Sequence, residues 1–181
     1  MEHRHLVRIS KRMSLALRHR PDRFGLTLDT AGRVPVTDLL GALDLTRAEL
    51  DAVVAGDDKQ RFALYRDAAG TDWIRASQGH SVPVDLGLAV RTPPDVLYHG
   101  TAASSWDSIR ATGLHRARRH HVHLSADPAT AHRVGARRAG PTVVITVDAA
   151  AMVADGHLFQ RSDNGVWLTA AVPPCYLTAP G

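Results

Sequence analysis

Between residues 77 and 95 the chain changes character, and that change constrains its folding more than any other feature. Gln78-Gly79-His80-Ser81, Pro83, Gly87 and Pro93-Pro94 gather turn-forming residues into a stretch that suits neither helix nor strand. Ahead of it, apolar residues recur mostly at helical spacing. Behind it, they fall into short strand-like runs. With 181 residues the chain has room for two small lobes with separate cores. The expected organisation is α+β, with residues 1–80 as one lobe, 81–95 as a linker and 96–181 as a second, strand-rich lobe.

In the first lobe, Leu6, Ile9, Met13, Ala16 and Leu17 repeat at three- and four-residue steps and predict a helix over 5–20. Pro21 ends it, because proline disfavours helical geometry in the residue before it. Arg18-His19-Arg20 then occupies the last turn, where cations complement the helix dipole, a placement that would suit any helix. A turn at Ala31-Gly32-Arg33 precedes a helix near Thr37–Leu43. Thr46-Arg47-Ala48-Glu49 matches a capping box and opens a helix to Ala55, closed by Gly56. Arg61–Arg66 and Asp72–Ala76 read as two strands joined by Asp67-Ala68-Ala69-Gly70. Three helices and a hairpin outline a winged helix, an arrangement common in nucleic-acid binding, although the fold alone does not prescribe that role.

The second lobe opens with Val96–Thr101, a strand running into a turn at Gly100. A helix over about 103–111 stops at Gly113, and Asp127-Pro128 caps another with proline in its first position. Thr142–Val147 reads as a buried strand. Asn164-Gly165 marks a tight turn before the strand Val166–Thr169. Between them lies Arg118-Arg119-His120-His121-Val122-His123-Leu124-Ser125, whose second half alternates polar and apolar. That period turns Val122 and Leu124 to the core and ranks Arg119, His121, His123 and Ser125 on the other face. Such a row suits an anion. It also suits an ordinary edge strand with a solvated face.

Composition narrows the chemistry. Arginine outnumbers lysine twenty to two, and the formal charge is +4 with eleven histidines besides. Arginine grips phosphate bidentately. A GC-rich genome would give the same bias, so only arginines inside specific motifs carry weight. Cys175 is the sole cysteine, which excludes an internal disulfide and a cysteine-based zinc cluster. No run reaches the roughly 18 apolar residues of a membrane span, and the start lacks a signal-peptide hydrophobic region, so a cytoplasmic protein is expected. Neither G-x-G-x-x-G, G-x-x-x-x-G-K-[ST] nor H-E-x-x-H occurs. A metal site from His115, His120, His121 and His123 would have only Asp127 nearby as a supporting carboxylate, and no metal is expected. What remains is a set of cations at turns and strand ends: Arg18-His19, Arg61, His99, and Arg119 with His121 and His123. Cations with few acids suit a reaction whose nucleophile is already an anion.

Six segments then match, in order, a known family: Leu17-Arg18-His19-Arg20-Pro21; Asp58-Lys59-Gln60-Arg61-Phe62; Ile74-Arg75-Ala76-Ser77-Gln78-Gly79-His80-Ser81; Tyr98-His99-Gly100-Thr101; Arg119-His120-His121-Val122-His123-Leu124-Ser125; and Asn164-Gly165-Val166-Trp167-Leu168-Thr169. On these the chain resembles the RNA 2′-phosphotransferases, the KptA-like family that includes the tRNA 2′-phosphotransferase of tRNA splicing. The resemblance implies a winged-helix RNA lobe followed by an ADP-ribosyltransferase-like NAD lobe. It implies a two-step reaction in which an internal RNA 2′-phosphate attacks the nicotinamide-bearing ribose carbon of NAD⁺ and releases nicotinamide. The 2″-hydroxyl then attacks phosphorus, leaving a 2′-hydroxyl RNA and ADP-ribose 1″,2″-cyclic phosphate. The family's catalytic set carries over onto Arg18, His19, Arg61 and Arg119.

Tyr98, His99, Gly100 and Thr101 match the NAD⁺ cradle, to which His123 and Ser125 are added. Three arginines could orient one phosphate, while His19 donates to it or moves a proton. The alternative for Tyr98–Thr101 is a plain strand-end turn. Arg75, Gln78 and His80 are expected to contact substrate in the cleft, a structural role being equally open. The chain departs from the family at Ser77, where Asn is usual, at Arg137-Arg138-Ala139-Gly140, and at Ala170-Ala171, where an acid is often seen. Competing expectations are an ADP-ribosyltransferase that caps terminal phosphates of RNA or DNA, and a non-catalytic nucleic-acid-binding module. Partners are an RNA with an internal 2′-phosphate and NAD, consumed as co-substrate. No membrane is involved, and a monomer is expected.

Overall fold

The computed structural model describes residues 3–117, 119–137 and 140–178. The chain is mixed α and β, and its two units divide between Gly87 and Leu88. In the first, helix α1 (His3–Arg18) buries Ile9, Met13, Ala16 and Leu17, the stripe its spacing predicts. Strand β1 (Arg33–Pro35) leads into α2 (Val36–Leu43). Helix α3 (Arg47–Ala55) starts on the expected capping box: Thr46 and Glu49 each bond the other's backbone N–H. Strands β2 (Phe62–Arg66) and β3 (Asp72–Ala76) complete an antiparallel sheet of order β1-β3-β2. The core joins the α1 stripe to Val34, Val36, Leu39, Leu43, Leu50, Val53, Phe62 and Ile74. Each of these side chains larger than alanine contributes about 1.5–3 kcal/mol on burial.

One strand here differs from expectation. Arg33, read as part of a turn, opens β1, which pairs Val34 with Ile74. Three residues are too few to show a period. Pro35 is tolerated because β1 lies at the sheet edge, where a missing N–H breaks no interior ladder.

The second unit contains β4 (Val96–Ala102), α4 (Trp106–Thr112), β5 (Leu114–His115), β6 (Val122–Leu124) and α5 (Pro128–Gly135). It continues with β7 (Thr142–Asp148), α6 (Ala149–Ala154), β8 (Gln160–Arg161), β9 (Trp167–Thr169), β10 (Ala171–Val172) and β11 (Leu177–Thr178). Its sheets run β11-β7-β4 and β6-β9-β8, with β10 paired to β5. Tyr98 and Ser125 form an isolated antiparallel bridge between β4 and the residue after β6. Leu97, Val122, Leu124, Val147, Met152, Phe159 and Trp167 share the core.

The expected turn at Gly100 is corrected. Strand β4 runs straight through it, pairing Gly100 with Val144 and ending at Ala102. The glycine is needed for packing, because a Cβ there would stand 1.7 Å from the Ala131 carbonyl oxygen of α5. Gly135, the last residue of α5, is also tight: its Cβ would meet Thr142 Cγ2 at 2.6 Å and the Gly100 carbonyl carbon at 2.8 Å.

The stretch expected as a linker is bonded on both sides of the division. Ser81 and Val82 donate backbone N–H groups to the Arg18 carbonyl at 2.9 and 3.4 Å, and Asp85 donates to Thr30 at 2.7 Å. Past Gly87, Gln160 donates its side-chain amide to the Leu88 carbonyl at 2.9 Å, and Arg91 N–H donates to Phe159, also at 2.9 Å. Among the described residues no helix is long and apolar enough to cross a membrane.

Candidate active site

Two clusters gather most of the residues singled out from the sequence, one in each unit. In the first, Arg18 and His19 stand where α1 ends, and Arg61 immediately precedes β2. Arg18 Nη2 donates to the Arg61 carbonyl at 3.2 Å. The same oxygen accepts the Ser77 N–H at 2.8 Å. The Arg18 carbonyl in turn accepts from Ser81 N–H, and His19 Nδ1 lies 2.9 Å from Ser81 Oγ. The Ser81 hydroxyl also lies 3.4 Å from the Arg18 carbonyl. The residues that leave β3 therefore tie Arg18, His19 and Arg61 into one group.

Asp57 aims the third member. Its carboxylate is buried and accepts the Arg61 N–H at 2.5 Å, the Lys59 N–H at 3.3 Å and the Arg61 Nη1 donor. The turn it closes carries Gln60 at φ +43°, a left-handed conformation that needs such support. Ser77 Oγ donates to the Gln60 carbonyl at 2.6 Å and braces the same turn. Asp57 and Ser81 are functional candidates that the sequence reading missed. An aspartate four residues before an arginine is a faint signal; the Ser81 contact is long-range and leaves none.

Arg75 and His80 are placed differently. Arg75 is 9% exposed, donates to the Leu86 carbonyl at 3.1 Å and stacks its guanidinium 5.2 Å from the Tyr65 ring centre. His80 is 2% exposed beside Gly32, whose missing Cβ would come within 3.2 Å of Nε2. Both are buried within the first unit, and the structural and substrate-contacting roles both stay open for them. Gln78 is half-buried.

The second cluster surrounds the β4–β6 bridge. Tyr98 and Ser125 exchange backbone hydrogen bonds at 2.9 and 2.8 Å. His99 Nδ1 lies 3.0 Å from the His123 carbonyl, and an oxygen can only accept, so Nδ1 carries the proton. Arg119 Nη1 donates to His123 Nδ1 at 3.0 Å, which places the proton of the neutral His123 ring on Nε2. Val122 and Leu124 are buried on the opposite face, as the alternation requires. Burial lowers the pKa of His121, with His120 and Arg116 adding to the effect. Thr101 is buried and pairs with Val143, away from this bridge. Arg118, Arg138 and Ala139 lie outside the described residues.

Guanidinium groups and oriented imidazoles, with Asp57 engaged by Arg61, make both clusters suited to anionic groups. Residues 4–171 match the model of the RNA 2′-phosphotransferase, Tpt1 / KptA family. The chain belongs to this family. It is 52% identical over 190 residues to the probable RNA 2′-phosphotransferase of Streptomyces griseus subsp. griseus, covering 100% of both chains. Proteins of the same description from Streptomyces coelicolor and Nostoc punctiforme are each 54% identical. The first aligns over 99% of this chain and 98% of its own, the second over 95% and 96%. Family membership makes the chain a transferase. The Arg18–His19–Arg61 group and the Arg119–His123 pair both fall within the matched span.

Proposed function

We propose that the protein is an NAD⁺-dependent RNA 2′-phosphotransferase that removes an internal 2′-phosphate from RNA. The observation that carries this is the Arg18–His19–Arg61 group, held by backbone carbonyls and by Asp57. Prealigned guanidiniums bind a dianionic phosphate without reorganising, and they stabilise charge that builds on phosphorus during transfer. A guanidinium has five N–H donors, so the Asp57 contact does not exhaust Arg61. His19 is placed to hold or move a proton at a phosphate oxygen, a role open to an imidazole near neutral pH. The family resemblance assigns Arg119, in the second unit, to the same chemistry.

NAD⁺ is consumed as co-substrate. The second cluster fits a nucleotide of this kind: Arg119 offers positive charge to a diphosphate, His99 is fixed by the His123 carbonyl, and Tyr98 and Ser125 flank it. Gly100 contributes by letting α5 seat against β4. The first unit is proposed as a winged helix, a reading supported by its helix–strand–helix–helix–hairpin order and edge strand β1. The second is proposed as ADP-ribosyltransferase-like.

The test is an incubation with NAD⁺ and a short RNA bearing one internal 2′-phosphate, followed by mass spectrometry of RNA and nucleotide. Loss of the phosphate, with nicotinamide and ADP-ribose cyclic phosphate as products, is expected. Arg61→Ala should stall the reaction or leave ADP-ribosylated RNA behind. Stable ADP-ribosylation by the wild type would instead indicate end-capping chemistry. Unchanged RNA with intact NAD⁺ would reject both.

A further inference from the structure

Helix α1 carries cations in a pattern that its packing does not explain. Arg4, Arg8, Lys11 and Arg12 are all exposed, on the side away from Ile9, Met13, Ala16 and Leu17. Positions 4, 8, 11, 15 and 18 form one row at three- and four-residue steps, about one cation per 5.4 Å turn at first, and the row ends at Arg18. The helix contains no acidic residue. Arg4 even sits in the first turn, where a cation opposes the macrodipole. Among the described residues no carboxylate pairs with Arg4, Lys11 or Arg12, and Arg8 contacts only the His5 ring at 3.0 Å.

The helices that a helix-turn-helix reader would place on nucleic acid are poor candidates here. Helix α2 has no cation and exposes Asp38. The single cation of α3, Arg47, is held by Asp51 at 2.9 Å and Asp72 at 2.6 Å. A lipid surface is disfavoured as the partner of α1, since its apolar face is already spent in the core.

We infer that the exposed face of α1 is a track for the RNA backbone, with Arg4, Arg8, Lys11 and Arg12 contacting phosphodiesters on the strand that leads to Arg18 and His19. This rests on the reading of the protein as an RNA 2′-phosphotransferase. It adds to that reading by assigning strand binding to the first helix instead of the third.

The test uses the full chain and a labelled single-stranded RNA without a 2′-phosphate, with affinity followed by fluorescence anisotropy across salt concentrations. Two double variants, Arg4→Ala/Lys11→Ala and Arg8→Ala/Arg12→Ala, each remove two positive charges at exposed helical sites where alanine is well tolerated. Arg66→Ala/Arg110→Ala removes the same charge elsewhere. Each α1 pair should lower the slope of log affinity against log salt by about 1.4, at roughly 0.7 per lost phosphate contact on a single strand. The control should leave it unchanged. With 2′-phosphorylated RNA, the α1 pairs should raise KM while kcat holds. An unaltered slope, or an equal loss in the control, would overturn the track. So would loss of binding to anionic vesicles with RNA binding intact. Wild-type removal of the 2′-phosphate is measured alongside. Activity with an unaltered slope rejects the track alone, whereas a lowered slope without activity rejects the enzyme reading and leaves the track standing.

Discussion

Asp57 shows how a single buried carboxylate sets the geometry of a neighbouring cation. It bonds both the backbone and the side chain of Arg61, so Arg61 reaches its place with few rotamers left to choose. Asp57→Asn keeps an oxygen for the backbone donors but removes the charge. Turnover should fall on the order of ten- to hundredfold, because hydrogen bonds to charged groups are worth about 1.5–3 kcal/mol. Asp57→Ala should in addition lower stability by about 1–3 kcal/mol, since it strands two backbone N–H groups. Steady-state kinetics in an Arg61→Ala background decide whether Asp57 acts through Arg61. If so, Asp57→Asn has no further effect there, and an additive loss would show an independent role.

At the scale of elements, the seating of α5 on β4 depends on two glycines that face each other. A methyl at Gly100 would overlap the Ala131 carbonyl, and one at Gly135 would overlap Gly100 and Thr142. Gly100→Ala and Gly135→Ala should therefore each destabilise by about 1–3 kcal/mol or more, the usual cost of overpacking. The double variant should lose less than the sum, because the first methyl already lifts the helix from the strand. Denaturant midpoints measure all three, and strict additivity would show that α5 does not move as a body. Elements of this size were legible where a period had room to repeat, as in α1, or where a cap was written locally, as at Thr46–Glu49 and Asp127. Strands β1, β5, β8, β10 and β11 span two or three residues, and alternation cannot declare itself in so few. Gly100 misled for a related reason. A glycine in a strand signals either a turn or a close neighbour, and the neighbour lies some thirty residues away in sequence.

For the whole molecule, the glycine- and proline-rich stretch marked where regular structure stops. It did not reveal where the backbone groups of that stretch find partners, and those partners, Arg18, Thr30, Phe159 and Gln160, are distant in sequence. The site was legible in part for the same reason. Residue type gave only a wider set of cations at turns and strand ends, from which the family resemblance picked Arg18, His19, Arg61 and Arg119, while Asp57, Ser77 and Ser81, which hold the first three, act through folded contacts. Charge is the other property of the whole chain. Glu49 is pulled down to about 2 by the Thr46 N–H and then by His5. Asp72 lies far below the ordinary carboxylate range beside Arg66 and Arg47, and Asp67 is lowered by Trp73 and the Thr71 N–H. Since these folded values lie below the unfolded ones, the unfolded chain binds more protons in acid. The stabilisation is complete above the ordinary carboxylate pKa and is lost as pH falls from about 4.5 towards the folded values. Asp67 is exposed and Glu49 and Asp72 are half-buried at the surface, so each contributes little and salt screens it. As they titrate, the +4 net charge, already joined by protonated histidines, rises steeply and the chain repels itself. Denaturant midpoints should thus hold between roughly pH 7 and pH 5 and fall by pH 3. Added salt should lower the midpoint slightly at pH 7, where pairs dominate, and raise it at pH 3, where repulsion does. A salt effect of one sign at both values would mean that pairing contributes nothing measurable to the fold.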